Sequence, residues 1–296
     1  ALVKVEELYS RLKKENEPGH LVKAIIYREK FKSQLEEKGQ VKAIQRLETE
    51  VGQSDFPVKQ VLYSMLGELY SQYLTENYWQ IAQRTQTTGF DNNDLETWSA
   101  TQFMETASKY YNLSLQDERL AGISIKTFNA ILTEGNLDEA LRPTLYDFLA
   151  HRVIDYFSND RSYLPAPAYK FYINQPEVFG DASVFITLKF DTKDQESYLL
   201  KTLLLLQDLI RRHLADADPA ALIDVDLKRL QFLRDKSAVP DKESLYLAAL
   251  NRMKVRYSAS PAYTEILHAM ASWHLQQPYE TGQEANRNNL ITAKEL

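Results

Sequence analysis

The sequence predicts an all-α protein: antiparallel helix pairs stacked side by side, with one extended strap. Three observations carry this. Apolar residues recur at helical spacing in run after run. Proline and glycine punctuate those runs. Only 9 glycines occur in 296 residues, too few for an all-β or glycine-loop-rich chain.

Leu2, Val5, Leu8, Tyr9 and Leu12 give the first amphipathic helix, which Pro18–Gly19 should end. A second runs from Leu21 to Glu37, burying Ile25, Tyr27, Phe31 and Leu35, with Gly39 as its C-terminal cap. Val41 to Val51 is the third. The tetrapeptide VKAI at 22–25 returns at 41–44, a spacing that suits adjacent antiparallel helices. Pro57 then opens a long helix to about Arg84. Within it, Leu66-Gly67-Glu68-Leu69-Tyr70 matches the L-G-x-x-Y core of a tetratricopeptide first helix. The glycine lets a neighbouring helix approach; the tyrosine fills the groove beside it. Trp79 stands where that repeat wants a small residue, so the pair reads as degenerate. Asp94 can cap a helix from Leu95 to about Leu113, and a short helix around Thr127–Leu132 follows.

Residues 142–157, RPTLYDFLAHRVIDYF, form the densest stretch and the centre of the chain. Pro143 suits a first helical turn. Leu145, Leu149, Val153, Tyr156 and Phe157, with Tyr146, Ala150 and Ile154, cover a wide apolar face. Asp147, His151 and Asp155, at i, i+4 and i+8, form one polar seam opposite. Pro165, Pro167 and Pro176 forbid a long helix over 160–193. Val184, Ile186, Leu188 and Phe190 alternate with Ser183, Phe185, Thr187 and Lys189, which is strand spacing. The segment reads as a strap held down by its aromatics, among them Tyr163, Tyr169, Phe171, Tyr172, Phe179 and Phe185. Helices resume near Gln195 with a seam of Leu199, Leu203, Leu206, Ile210 and Leu214. Asp218-Pro219, Pro240-Asp241 and Ser260-Pro261 start three more, and a last helix begins near Gly282. The reading is one helical repeat-like domain over 1–296. Its halves are 1–159 and 194–296, joined by the connector 160–193.

The central stretch is similar to the N-terminal helical region of large bacterial alpha-2-macroglobulin-like proteins. So are LVKAIIYREKF (21–31), FPVKQVLYSMLGELYSQYL (56–74), FDNNDLETW (90–98) and ALIDVDLKRLQFL (221–233). The resemblance implies an exported protein of the periplasm or outer-membrane surface. It implies a protease trap, in which bait cleavage triggers collapse around the protease, and an endopeptidase-inhibitor role. It also implies a helical part that precedes β-sandwich domains. The family's reactive thioester needs a cysteine, and this chain has none. Any covalent trapping would belong to another part of such a polypeptide. Both ends of the sequence read as cuts in a longer chain, with any export signal outside it.

Composition excludes several functions. Net charge is −6 with no long basic run, so nucleic acid is not an expected partner. Absence of cysteine removes disulfide and thiolate-metal frameworks. No apolar run reaches about 18 residues, so no transmembrane segment is expected. Among His20, His151, His213, His268 and His274 there is no H-E-x-x-H, and no metal or cofactor is expected. His268 and His274 lie about 240° apart around a helix. The oxygen-rich turn Asp91–Asp94 lacks the spacing of a calcium loop and reads as a turn plus a helix cap. Asp224 should pair with Lys228 at i, i+4.

Asp147–His151–Asp155 is the one catalytic-looking set, since carboxylates either side of a histidine could orient it as a base. No G-x-S-x-G elbow and no cysteine nucleophile accompany it. The weightier reading is a structural pairing, with Arg142 or Arg152 as a further partner. The predicted role is therefore a non-catalytic structural and protein-interaction module, its partners other proteins or neighbouring domains. Two alternatives remain. One is an outer-membrane glycan-binding protein on a tetratricopeptide-like scaffold, using Trp79, Trp98 or Trp273 as stacking platforms. The other is an all-α hydrolase using His151, which would need Asp147 and His151 in a solvent-reached pocket.

Overall fold

The structure is a computed structural model that describes residues 1–15, 17–84, 94–132, 139–159, 169–276 and 283–295. The described residues form helices and turns, with no strand among them. They divide into two compact units. The first takes the residues up to Glu139 and Pro143–Val153; the second takes Ala140–Arg142, residues 154–159 and everything described from 169 on. The division therefore falls inside the central helix, whereas the sequence reading divides the chain at 159 and 194.

The first unit begins with α1 (Leu2–Leu12), α2 (Pro18–Leu35), α3 (Gly39–Gly52), α4 (Val58–Glu76) and the short α5 (Tyr78–Ile81). After a 3-10 turn at Leu95–Thr97 come α6 (Ala100–Leu113), further 3-10 turns, and the start of α7 (Leu145–Ser158). From α1 to α4 each helix packs on the next, and α4 lies chiefly against α6. Val22, Ile25, Ile44, Leu47, Leu62 and Leu66 are fully or almost fully buried. These positions follow the apolar periodicity of the sequence.

Several boundaries differ from the prediction for identifiable reasons. Pro18 and Gly19 open α2 instead of closing α1, because proline costs nothing in a first turn. A Cβ on Gly19 would stand 2.5 Å from the Thr127 carbonyl oxygen, so this glycine serves a close approach. Lys38, not Gly39, takes the left-handed conformation (φ 54°). Gly39 starts α3, where a Cβ would collide with the Ser33 carbonyl. The long helix predicted to Arg84 breaks at Asn77, whose side-chain amide donates to the Tyr73 carbonyl at 3.0 Å. Asp94 caps only the 3-10 turn, accepting from the Glu96 N–H at 3.0 Å. Ser99 and Gln102 then form the capping box that starts α6.

Gly67 and Tyr70 both lie where α4 packs on α6. Gly67 lies against the Tyr111 ring of α6. Tyr70 is buried and stacks on Trp98 and Tyr110, with ring centroids 5.6 and 5.7 Å away. The hydroxyls of Tyr70 and Tyr110 both donate to Glu48, at 2.8 and 2.7 Å. Burial and the neighbouring Glu48 carboxylate push both phenols well above their ordinary range. Nearby, Glu50 is buried beneath Arg28, Tyr9 and Lys13.

The second unit holds α8 (Ala182–Phe185), α9 (Tyr198–His213), α10 (Ala220–Lys236), α11 (Lys242–Arg256), α12 (Tyr263–Gln276) and α13 (Gln283–Glu295). From α9 to α13 each helix again packs on the next. The predicted starts lie within three residues of these ends. Asp218 accepts from the Ala220 N–H at 3.0 Å and Ser260 from the Ala262 N–H at 3.2 Å. The buried face of α9 is rotated from the predicted seam: Leu200 and Leu209 join Leu203, Leu206 and Ile210, while Leu199 and Leu214 are half-buried.

The strap needs the largest correction. Residues 160–168, with Tyr163, lie outside the described residues. Over 169–193, the strand read from alternation is absent. Pro176–Phe179 is a 3-10 turn and Ala182–Phe185 a helical turn. Phe185 is buried and Val184 exposed, the reverse of the alternation, because α8 packs its one large aromatic toward α9 and α10. Phe171 and Phe179 are buried, whereas Tyr169 and Tyr172 face solvent. Two arginines hold this segment. Arg229 of α10 donates to the carbonyls of Val178 and Gly180, at 3.0 and 2.8 Å. Arg252 of α11 donates to the Phe179 carbonyl and to Asp181.

Candidate functional site

The three polar residues predicted on the central helix have separate fates. Asp147 closes the helix start: its carboxylate accepts from the Thr144 N–H and hydroxyl, at 2.9 and 2.8 Å, and its own N–H donates to Thr144 Oγ1 at 3.2 Å. That is a capping box built with aspartate. His151 is 2% exposed. Both belong to the first unit. Asp155 belongs to the second, is largely exposed, and is ion-paired with Lys228 of α10. Arg152 bonds to Ser64 and Glu68 of α4. Arg142 bonds to Asp224 at 3.0 Å. The predicted Asp224–Lys228 pair is thus replaced by two pairs to residues far away in the chain. An exposed i, i+4 pair contributes little, so better-placed partners win.

The remaining histidines are scattered. His20 lies 3.5 Å from Glu17, His213 contacts Asp216 at 2.7 Å, and His274 contacts Asn289 at 3.0 Å. Among the described residues no group of three or more histidine, aspartate or glutamate side chains is arranged to hold a metal ion. No described helix is long and apolar enough to cross a membrane.

The tryptophans do not form a platform row. Trp98 is part of the aromatic stack around Tyr70 and Phe103. Trp79 is 82% exposed beside Tyr78. Trp273, in the second unit, lines a cleft of about 730 Å3.

The walls of that cleft are the C-terminal end of α7, α10, α11 and α12. Phe232 and Tyr246 are buried beneath it. Its charged lining comprises Arg142, Lys228, Arg234 and Lys236 against Asp155, Asp224, Asp235 and Glu265. Four charges of each sign cancel. Most are already engaged. Arg142 pairs with Asp224 and Lys228 with Asp155. Arg234 reaches Glu243 at 2.9 Å and Gln276 at 2.8 Å. Glu243 also accepts from Trp273 Nε1 at 2.8 Å. The indole is therefore oriented by a carboxylate that is itself held by an arginine. On α12, Glu265, His268 and Ser272 follow one another along the face that lines the cleft.

Sequence reasoning did not find this cleft. Its signal was present, since Glu265, His268, Ser272 and Trp273 fall at i, i+3, i+7 and i+8. A polar helical face of that kind reads the same whether it meets bulk water or the wall of a groove. A smaller concavity of about 450 Å3 lies by α11, lined by Asp181, Asp226, Arg252 and Tyr257 among others. There Arg229 and Asp226 form a buried pair, Nε to Oδ1 2.8 Å. Burial pushes the Asp226 carboxyl up and the Arg229 guanidinium down, against their mutual attraction. No protein-family model, no curated protein and no solved structure matches this chain.

Proposed function

We propose that this chain is a non-catalytic interaction module: the helical part of an exported bacterial alpha-2-macroglobulin-like protease trap, built from degenerate tetratricopeptide-like helix pairs. What supports the repeat-like reading is helices that pack in chain order within each unit, with Gly67 and Tyr70 both where α4 packs on α6. The observation that carries the non-catalytic reading is the commitment of the central polar residues. Asp147 caps a helix, His151 has no solvent access and Asp155 is ion-paired. A hydrolase needs its base within reach of substrate. The family reading rests on the sequence blocks quoted above.

The test uses the full polypeptide encoded by the gene. Mixed with a broad-specificity endopeptidase, it is expected to form a size-shifted complex in which the protease still cleaves small peptides but not large proteins. The isolated chain is expected to do neither. An open reading frame without β-sandwich domains after Leu296 overturns the trap reading. Hydrolysis by the purified chain that His151→Ala abolishes overturns the non-catalytic one.

A second reading, glycan binding at the cell envelope, is favoured by one observation. Trp273 is held in orientation by Glu243 inside a polar cleft.

A further inference from the structure

We propose that the cleft of the second unit binds a neutral oligosaccharide, with Trp273 as its stacking surface and the polar face of α12 as its hydrogen-bonding edge. The inference rests on the glycan-binding reading and names its ligand class; it is independent of the protease-trap reading.

Three features of the cleft point to this chemistry. The first is charge. The lining carries equal numbers of cations and anions, and Arg142, Lys228 and Arg234 are each tied to a carboxylate. A phosphorylated, sulfated or strongly acidic ligand finds no net field to hold it. The second is the mixture of groups not engaged in those ion pairs. Glu265 accepts, Lys236 donates, and His268 and Ser272 do both. A sugar hydroxyl is a donor and an acceptor at once, so a mixed edge satisfies it where a one-sign edge does not. The third is the indole. Its N–H donates to Glu243 at 2.8 Å and its ring meets that of His274 edge-on at 5.0 Å, so the indole lines the cleft in a fixed orientation. A pyranose has a C–H face and a rim of hydroxyls, which matches one fixed aromatic surface beside a polar edge. The volume of about 730 Å3 falls within the range of small-molecule sites, roughly 300–1,000 Å3. A peptide side chain seeking an apolar anchor finds less here, because Phe232 and Tyr246 are already buried beneath the surface.

The experiment is calorimetric titration of the purified chain with maltotetraose, cellotetraose, mannotetraose and chitotetraose. An acidic tetrasaccharide, tetragalacturonate, is run alongside. At least one neutral sugar is expected to bind, with an affinity that changes little between ~50 and ~500 mM salt. Trp273→Ala and His268→Ala are expected to weaken it about tenfold or more. Trp79→Ala, an exposed site in the first unit, should leave it unchanged. Because Trp273 also bonds to Glu243, its variant can lose structure. His268→Ala and Glu265→Gln alter exposed side chains and keep the test decisive. Salt-sensitive binding of tetragalacturonate alone overturns the neutral-ligand inference and leaves the glycan reading standing. No binding of any saccharide overturns both. Neutral-sugar binding untouched by His268→Ala and Glu265→Gln overturns the placement in this cleft.

Discussion

Gly67 of α4 and Tyr111 of α6 lie so close that a Cβ at position 67 would come within 2.7 Å of the tyrosine ring. Hydrogen at Cα is what allows α4 and α6 to approach this closely at this point. Tyr111 is itself buried, so its ring has little room to retreat.

Gly67→Ala is therefore expected to destabilise the protein. Overpacking costs about 1–3 kcal/mol, while alanine returns roughly 1 kcal/mol of helix propensity. A net loss of about 1 kcal/mol should appear in urea unfolding. In a Tyr111→Leu background the same change should cost less, because the two positions share one contact. A Gly67→Ala protein as stable as the parent would show that α4 and α6 can part without cost.

The Glu50 cluster predicts an acid-sensitive first unit. Burial works to raise the Glu50 carboxyl, but hydrogen bonds from Arg28 and Tyr9 and the charges of Arg28 and Lys13 outweigh it. The group sits below its ordinary value of 4.5. A depressed folded value means a stabilisation that is complete above the unfolded value and fades as pH falls through the folded one. Thermal unfolding should show stability dropping below about pH 4.5 in the parent. In Glu50→Gln that drop should be smaller, on a lower plateau at neutral pH. An identical pH profile in both proteins would sink the assignment.

The Thr144–Asp147 box predicts non-additive losses. Thr144→Ala and Asp147→Ala should each cost about 1 kcal/mol. The double variant should cost little more than the worse single one, since each removes the same reciprocal bonds. Fully additive losses would mean that Asp147 acts through some other contact.

Arg229 predicts a charge-pair asymmetry. Arg229→Met leaves the buried Asp226 carboxylate without its partner and frees the carbonyls of Val178 and Gly180. About 3–5 kcal/mol should be lost, and proteolysis within residues 176–190 should speed up. Arg229→Met with Asp226→Leu should recover most of the stability, because burying two charges is costly even when they pair. No recovery in the double variant would assign the loss to the carbonyl clamp alone.

The legible parts of this chain were those whose cause is local. The starts of α10 and α12 follow from Asp218-Pro219 and Ser260-Pro261, where a side-chain acceptor and proline act within a turn; at the start of α11 Asp241 takes a left-handed conformation and makes no side-chain cap. Gly67 and Tyr70 could be read from one pentapeptide, because their spacing puts them on neighbouring ridges of one helix. The 182–190 stretch was misread for the same reason inverted. Alternation over the eight residues 183–190 is compatible with a strand, but a strand needs a partner ladder, and none exists here among the described residues. Gln207 of α9 donates to the Phe185 and Leu188 carbonyls of that segment instead, and Arg211 to that of Ile186.

By itself, then, the sequence determined the helical class and most helix starts, since periodicity and capping are properties of adjacent residues; of the α2 residues expected to be buried only Ile25 is, while Tyr27 and Leu35 face solvent. Tertiary structure alone decided where the polar groups went. Arg142 found Asp224, Lys228 found Asp155, and Glu243 came to hold both Arg234 and Trp273. Arg142, Asp224, Lys228, Asp155, Arg234 and Trp273 all line the cleft on α10 to α12. A charged side chain on a helix surface has many partners of similar worth within reach, and only the packed backbone selects among them.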